Sequence, residues 1–206
     1  VSHEYDGERY RNRFTAIPKA TPYRPLAVTP QPFMHTQTAT VVGKSGEEIW
    51  TDKLGRVKVQ FPWDREGKSD ETSSCWLRVA TAWSGNGFGA QFIPRIGQEV
   101  VVSFIDGDPD KPLITGCVYN GANALPYALP ANQTQSGIKT KSEKGFNELR
   151  FDDKKDAELL AMQAQKDFQL TVLNDSKTAI SHDEIHSVKN DRTRPVEEGN
   201  EAVTLK

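Results

Sequence analysis

An eight-residue repeat in the last third of the chain limits its possible folds more than any other feature. The apolar positions of the repeat are Val172, Ile180, Val188 and Val196, and Thr204 continues the series. Polar residues follow at constant offsets, with Asn174, His182, Asn190 and Glu198 two places later and Asp175, Asp183, Asp191 and Gly199 three places later. A helix repeats every 3.6 residues and a strand every two. The octads therefore predict a slowly winding chain with one strand and one corner per repeat.

A single octad contains too few apolar atoms to form a core. Repeat structures solve this problem by stacking, and identical chains solve it by sharing a symmetry axis. We therefore expect several copies of the chain to wind together and to place Val172, Ile180, Val188, Val196 and Thr204 at a shared axis. The polar residues at the corners would then face water.

The middle of the chain has the pattern of short β-strands. Residues 55–64 and 76–83 alternate between apolar and polar side chains, which is typical of half-buried strands. Residues 100–121 contain two more strands, separated by the turn residues at 106–109. Several short strands within about 80 residues predict a small closed barrel of the OB type.

Two stretches flank this predicted barrel. Residues 1–37 contain five prolines between positions 18 and 32, which predicts an extended connector. Residues 122–146 form a second predicted connector, which is too short to contain an inserted enzyme domain. We expect the chain to begin and end inside longer structural elements.

Composition excludes several classes of function. The formal net charge is −2, so the strongly basic balance of a nucleic-acid-binding protein is missing. Hydrophobic residues make up 36% of the chain, which suffices for one modest core. Cys75 and Cys117 lack the spacing of a zinc site, and we expect both to be buried, reduced thiols.

Three motifs could carry chemistry, but none fits a known site well. Asp106, Asp108 and Asp110 alternate like calcium ligands, yet Lys111 and Cys117 stand where an EF-hand loop needs glycine and glutamate. The glycine-rich residues 84–89 lack the spacing of a phosphate-binding loop.

The third motif is the histidine pair His182 and His186, which would share one face only on a helix. The octad pattern predicts strand and not helix there, although three chains could still bring three copies of one histidine to the axis. No serine, histidine and aspartate set converges, because the four histidines all lie outside the predicted barrel. We therefore predict no catalytic residue, no metal and no cofactor.

Longer motifs resemble one protein family. The segments PRIGQEVVVSF (94–104), DGDPDKPLITGCVYNG (106–121), GRVKVQFPWDREG (55–67) and CWLRVATAWSGNGFG (75–89) resemble the OB domain of VgrG proteins and of contractile-phage spikes. The octads resemble the triple-stranded β-helix that follows this domain, and GFNELRFDDKK (145–155) is similar to the start of that helix. YRNRFTAIP (10–18) resembles the end of the preceding hub domain.

The resemblance implies an all-β fold in four parts. These are the hub exit and connector at 1–37, an OB-type barrel at 38–121, a connector at 122–146 and an intertwined trimeric β-helix at 147–206. The implied protein is a non-enzymatic spike of a type VI secretion system, which punctures target membranes and delivers effectors. The alternative is a carrier whose enzymatic effector domain lies outside this chain.

The resemblance also implies partners and a location. We expect a homotrimer that sits on a tube of Hcp rings, carries a PAAR-type tip protein and effector proteins, and meets the target membrane transiently. We expect no nucleic-acid partner. The assembled spike would be in the bacterial cytoplasm before it is secreted into a target cell or the medium.

Overall fold

The computed structural model describes residues 1–26 and 28–204. One position of the connector predicted at 1–37, Ala27, and the last two of the β-helix predicted at 147–206, Leu205 and Lys206, lie outside the described residues. The described residues form strands and one short 3₁₀ turn, so the predicted all-β class is confirmed. Contacts between residues divide the chain into two units, Val1–Gln133 and Thr134–Lys206.

The first unit contains seven strands among its described residues. Their bounds are β1 Ser2–Tyr5, β2 Tyr10–Arg13, β3 Gln37–Val42, β4 Lys58–Gln60, β5 Arg78–Val79, β6 Glu99–Phe104 and β7 Pro112–Val118. β1 and β2 form an exposed hairpin, and the other five strands form one sheet in the order β4-β3-β6-β7-β5. A further bridge joins Val57 to Leu77.

The core of the first unit lies on one side of this five-stranded sheet. Its fully buried members are Ala39, Val41, Val57, Val59, Leu77, Val100, Val102 and Ile114. Odd-numbered residues of β3 and β4 and even-numbered residues of β6 face inward, because successive side chains of a strand point to opposite faces. A β-bulge between Val101 and Val102 shifts the register of β6 against β7.

The connector before β3 is attached to the turn between β6 and β7. The amide of Met34 donates to the carbonyl of Gly107 over 2.8 Å, and the Gln31 side chain donates to Asp108 over 3.3 Å. Gly107 has a φ of +70°, and the ring of Phe33 occupies the space that a β-carbon there would need. Glycine at this position therefore allows the connector to lie directly against the turn.

The expectation of two buried thiols is wrong, because both Cys75 and Cys117 are exposed. Cys75 lies in an irregular loop just before Leu77, where the strand alternation has not yet begun. Cys117 lies close to the end of β7, beyond the β-bulge that shifts the pairing with β6. Apolar neighbours in the sequence could not reveal either of these local irregularities.

The second unit begins with a three-stranded antiparallel sheet in the order β10-β9-β8. Its strands are β8 Gln135–Lys139, β9 Glu148–Asp152 and β10 Leu159–Gln163. β8 falls inside the segment 122–146, which we expected to be a connector. Residues 164–204 follow without strand pairing among the described residues.

Carboxylates that stabilise turns make the first unit sensitive to acid. The Arg56 side chain and backbone amides hold the pKa of Asp52 below its ordinary value, and the amides of Gly67 and Glu66 do the same for Asp64. Because these pKa values are lowered in the folded state, the stabilisation is complete above the unfolded pKa of about 4. It is lost as pH falls through the lowered folded values.

We therefore expect the thermal midpoint of unfolding, followed by circular dichroism, to fall steeply below about pH 4. Asp64→Asn keeps an oxygen acceptor but cannot take up this proton, so its midpoint should depend less on pH than that of the parent. Glu66→Gln changes an exposed neighbouring side chain and serves as the control. Identical pH profiles for Asp64→Asn and the parent would contradict this assignment.

Candidate trimerisation surface

One face of the three-stranded sheet is apolar. Ile138 of β8 lies opposite Leu149 of β9, which lies opposite Met162 of β10. Two positions along β9, Phe151 lies between Ser136 of β8 and Leu160 of β10. Cross-strand partners point to the same face of a sheet, so the apolar face consists of Ile138, Leu149, Phe151, Leu160 and Met162.

The opposite face is mainly polar. Its members are Gln135, Gly137, Lys139, Glu148, Arg150, Asp152, Leu159, Ala161 and Gln163. Glu148 lies within ion-pair distance of Lys139, at 3.9 Å, and of Arg150, at 4.0 Å. Leu159 belongs to this polar face, although in the sequence it stands beside Leu160.

Hydrogen bonds from Thr134 and Gln135 fix the edge of the polar face. The Thr134 hydroxyl donates to the Asp152 carboxylate over 2.7 Å, and the Gln135 amide donates over 3.0 Å. These two side-chain donors hold the pKa of Asp152 below its ordinary value. The carboxylate therefore stays ionised at neutral pH.

The apolar face is uncovered in the single chain. The exposed fractions are 53% for Ile138, 43% for Phe151, 59% for Leu160 and 66% for Met162. A contiguous apolar patch on one face of a sheet with an opposite polar face is typical of an interaction surface. The fold of this unit therefore leaves its main apolar surface available to another molecule.

The chain leaves this sheet from a fixed point. The side-chain oxygen of Gln165 accepts a hydrogen bond from the backbone amide of Phe146 over 3.2 Å. The backbone amide of Gln165 donates to the side-chain oxygen of Asn147 over 2.9 Å. Gly145 gives Gln165 the room to approach, because a β-carbon there would collide with the glutamine side chain. The repeat region thus starts from a defined position next to β9 and β10.

The backbone of the repeat region bends once in every octad. Bends fall at residues 173–174, 181–182, 189–190 and 197–199, directly after each of the four apolar repeat positions. The four repeat side chains Val172, Ile180, Val188 and Val196 are between 46% and 52% exposed, whereas Leu173 is 98% exposed. The sequence period is therefore also a period of the backbone.

The fifth predicted axial residue, Thr204, is the last described position and is exposed. A single chain contains no axis, so the placement of all five residues at an axis stays a prediction. Gly199 departs from the aspartates at the equivalent place in the first three octads, and its φ is +112°. The fourth bend is accordingly longer than the first three.

The two histidines of the second octad each lie next to an acidic residue of the same chain. His182 lies 2.8 Å from Asp183, and His186 lies 2.8 Å from Glu184, all on exposed side chains. Within residues 1–26 and 28–204, no group of three or more potential ligands is arranged to hold a metal. The described part of the chain also has no helix long and apolar enough to cross a membrane.

Two family models match the chain. Residues 38–119 match the type VI secretion system and phage-baseplate injector OB domain, and residues 136–205 match the C-terminal trimerisation domain of bacteriophage T4 gp5. The relatives include the Pseudomonas aeruginosa type VI secretion system spike protein VgrG1b, which is 51% identical over 188 residues. This chain belongs to the VgrG family.

Other VgrG proteins show the same relation. VgrG1c of P. aeruginosa is 50% identical over 88% of this chain, and VgrG3 of Vibrio cholerae is 44% identical over 88% of it. The chain spans only about a quarter of the length of these relatives, from 18% of VgrG3 to 26% of VgrG1c. The predicted fold class, an OB-type barrel followed by a β-helix, is confirmed by the two family matches.

The trimerisation domain covers both the apolar sheet face and the octads. This match supports a trimeric spike. Ile138 lies in β8, inside the segment 122–146 that the sequence predicts to be a connector, so it is absent from the predicted contact residues. The alternation of polar and apolar residues around Ile138 was the available signal, but it is short.

The neighbours Leu160 and Leu159 provide a matched test of this surface. Leu160→Glu places a charge on the apolar face, so we expect it to lower the mass measured by light scattering from trimer towards monomer. Burying an unpaired charge costs several kcal/mol, and symmetry would repeat that cost three times. Leu159→Glu changes the polar face and should leave the mass unchanged. Equal effects of the two variants would show that the apolar face is not the interface.

Proposed function

We propose that this chain is a structural segment of a trimeric type VI secretion spike. Three copies cover the apolar faces of their three-stranded sheets and wind their octads into one β-helix. The observation that carries this proposal is the uncovered apolar face, which lies within the match to a trimerisation domain. The injector OB domain and the names of the relatives support the role of a spike.

Association supplies stability that the second unit lacks alone. Ordering the backbone costs about 1–2 kcal/mol per residue, and the repeat region has few buried side chains to offset that cost. In a trimer each apolar side chain would meet its two symmetry copies. The open edges of β8 and β10, together with the unpaired backbone of residues 164–204, could then form hydrogen bonds between chains.

At the axis we place Val172, Ile180, Val188, Val196 and Thr204. The first four are between 46% and 52% exposed and stand directly before the bends, which supports this arrangement. The corner residues such as Asn174 and Asp175 would face water. A rod that is hydrogen-bonded between chains and lacks loops resists bending, which is the property that a membrane-puncturing device requires.

The partners of the whole spike belong to the same proposal. The expected partners are a tube of Hcp rings, a PAAR-type tip protein, effector proteins and, transiently, the target membrane. The spike would assemble in the cytoplasm before it is secreted. Their support is the similarity of this chain to relatives that are named type VI secretion system spike proteins.

The proposed role is mechanical, so we do not assign this chain an enzymatic activity. Both matched domains are structural ones, an injector OB domain and a trimerisation domain. We expect purified protein to show no turnover of peptidoglycan, lipid, peptide or nucleic acid. Turnover that a point mutation within this chain abolishes would overturn the assignment.

Val188→Asp tests the axial placement. It would put three like charges at one level of a dry axis, so we expect loss of the trimer by light scattering or a large fall in thermal midpoint. The control is Leu173→Asp, which alters an apolar residue that is 98% exposed beside the first bend. The parent's midpoint should also rise with protein concentration, as association requires. A Val188→Asp protein that assembles and melts like the parent would refute the axial placement.

A further inference from the structure

An aromatic groove lies on the surface of the first unit. Residues 51–55 and 79–93 line a cavity of about 670 Å³, which is in the usual range of ligand sites. Four large apolar side chains stand around it, and each is mostly exposed: Leu54 at 67%, Trp83 at 64%, Phe88 at 60% and Phe92 at 63%. These four side chains present apolar surface to the solvent beside the polar residues Asp52 and Lys53 of the same lining.

The groove is held in shape by a short hairpin. The amide of Gly85 donates to the carbonyl of Phe88, and the amide of Ala90 donates to that of Trp83, both over 2.9 Å. The rings of Trp83 and Phe88 meet edge to face with centroids 5.5 Å apart. Gly89 has a φ of +138°, and a β-carbon there would collide with the backbone of Trp83. The aromatic side chains are therefore positioned before any partner arrives.

The chain also carries a segment with the chemistry that such a groove binds. Pro22, Tyr23, Arg24 and Pro25 form a P-x-x-P sequence, and Leu26 follows it. Tyr23 is 75% exposed and Leu26 is 89% exposed. Segments of this kind favour the polyproline II conformation and dock in grooves lined by aromatic side chains, because little conformational entropy is lost.

We propose that residues 22–26 of one copy, here called the proline strap, occupy the aromatic groove of a neighbouring copy in the trimer. This proposal rests on the proposed trimer. In a threefold assembly each interface joins two different surfaces, and the rotation closes the ring. The strap and the groove are two such different surfaces, and the strap is not seated in the groove of its own chain, where both stay exposed.

The trimerisation domain favours this pairing through local concentration. The matched OB domain ends at residue 119 and the matched trimerisation domain starts at residue 136, so a short stretch of chain ties each barrel to the shared trimer. Tethering of this kind raises effective concentrations to the millimolar range. A five-residue strap that would bind weakly in free solution can therefore occupy the groove in the assembly.

Trypsin cleavage after Lys19 of the full chain measures whether the strap is held. Lys19 lies three residues before the strap, whereas the bond after Arg24 precedes a proline and resists trypsin. We expect Trp83→Ala and Phe92→Ala each to speed cleavage after Lys19 about tenfold, which corresponds to about 1.4 kcal/mol of lost docking energy. Trp63→Ala removes another exposed tryptophan outside the groove lining and should leave the rate unchanged. Equal rates in the parent and both groove variants would overturn the proposal.

Cross-linking identifies the chain that supplies the strap. In a background of Cys75→Ser and Cys117→Ser, the pair Tyr23→Cys and Ser84→Cys should give covalent dimers and trimers with a short bismaleimide. Ser45→Cys replaces Ser84→Cys in the control pair, since Ser45 is exposed and outside the groove lining. Products linked only within one chain would assign the groove to the chain's own strap and overturn the proposal.

Light scattering on the same samples tests the trimer separately from the docking of the proline strap. A monomeric parent would refute the proposed trimer and, with it, docking between copies. A trimeric parent that gives no Tyr23–Ser84 cross-link would leave the trimer standing and refute the strap alone.

Discussion

The uncovered apolar face of the three-stranded sheet is the constraint on which the rest of this molecule depends. Ile138, Leu149, Phe151, Leu160 and Met162 share that face by strand register, while the other face is mainly polar. An antiparallel sheet with one apolar face needs a second layer, and neither β8, β9 nor β10 supplies one. Each octad that follows adds one apolar repeat position, and the described residues 164–204 form no layer of their own. Both parts of this unit therefore leave apolar surface for a partner to cover, and the match to a trimerisation domain agrees with this.

The first unit meets the same physical requirement by itself. Its five-stranded sheet curves around a core of small, mostly β-branched side chains, and eight of them are almost completely buried. The two units thus represent two solutions to the burial of apolar surface. One solution operates within a chain, and the other operates between chains. The first unit can therefore bury its core alone, whereas the second leaves apolar surface that its own described strands do not cover.

The sequence predicts the strands of the barrel and the octad repeat well. It predicts less well which side chains lie on which face of a sheet. Strand alternation around Val57 and Val59 and the eight-residue spacing were strong, regular signals, and the structure shows a buried pair and a bend in each octad. The apolar face was only partly predictable, since strand register decides which of Leu159 and Leu160 points to which side. Short strands such as β8 carry too few residues to show a period. The two cysteines were misplaced for a similar reason, because a bulge and an irregular loop interrupt the alternation around them.

The regular bends have a consequence for how the length of the rod is set. In the proposed β-helix each octad would add one corner and one equal increment of length along the axis. The length of the helix would therefore grow in equal steps as octads are added. An insertion of any other length would rotate every later Val or Ile away from its predecessors and out of the common line. The number of octads in the proposed β-helix would therefore set its length in discrete steps, and duplication of a short coding segment could change that length without altering the strands of the barrel.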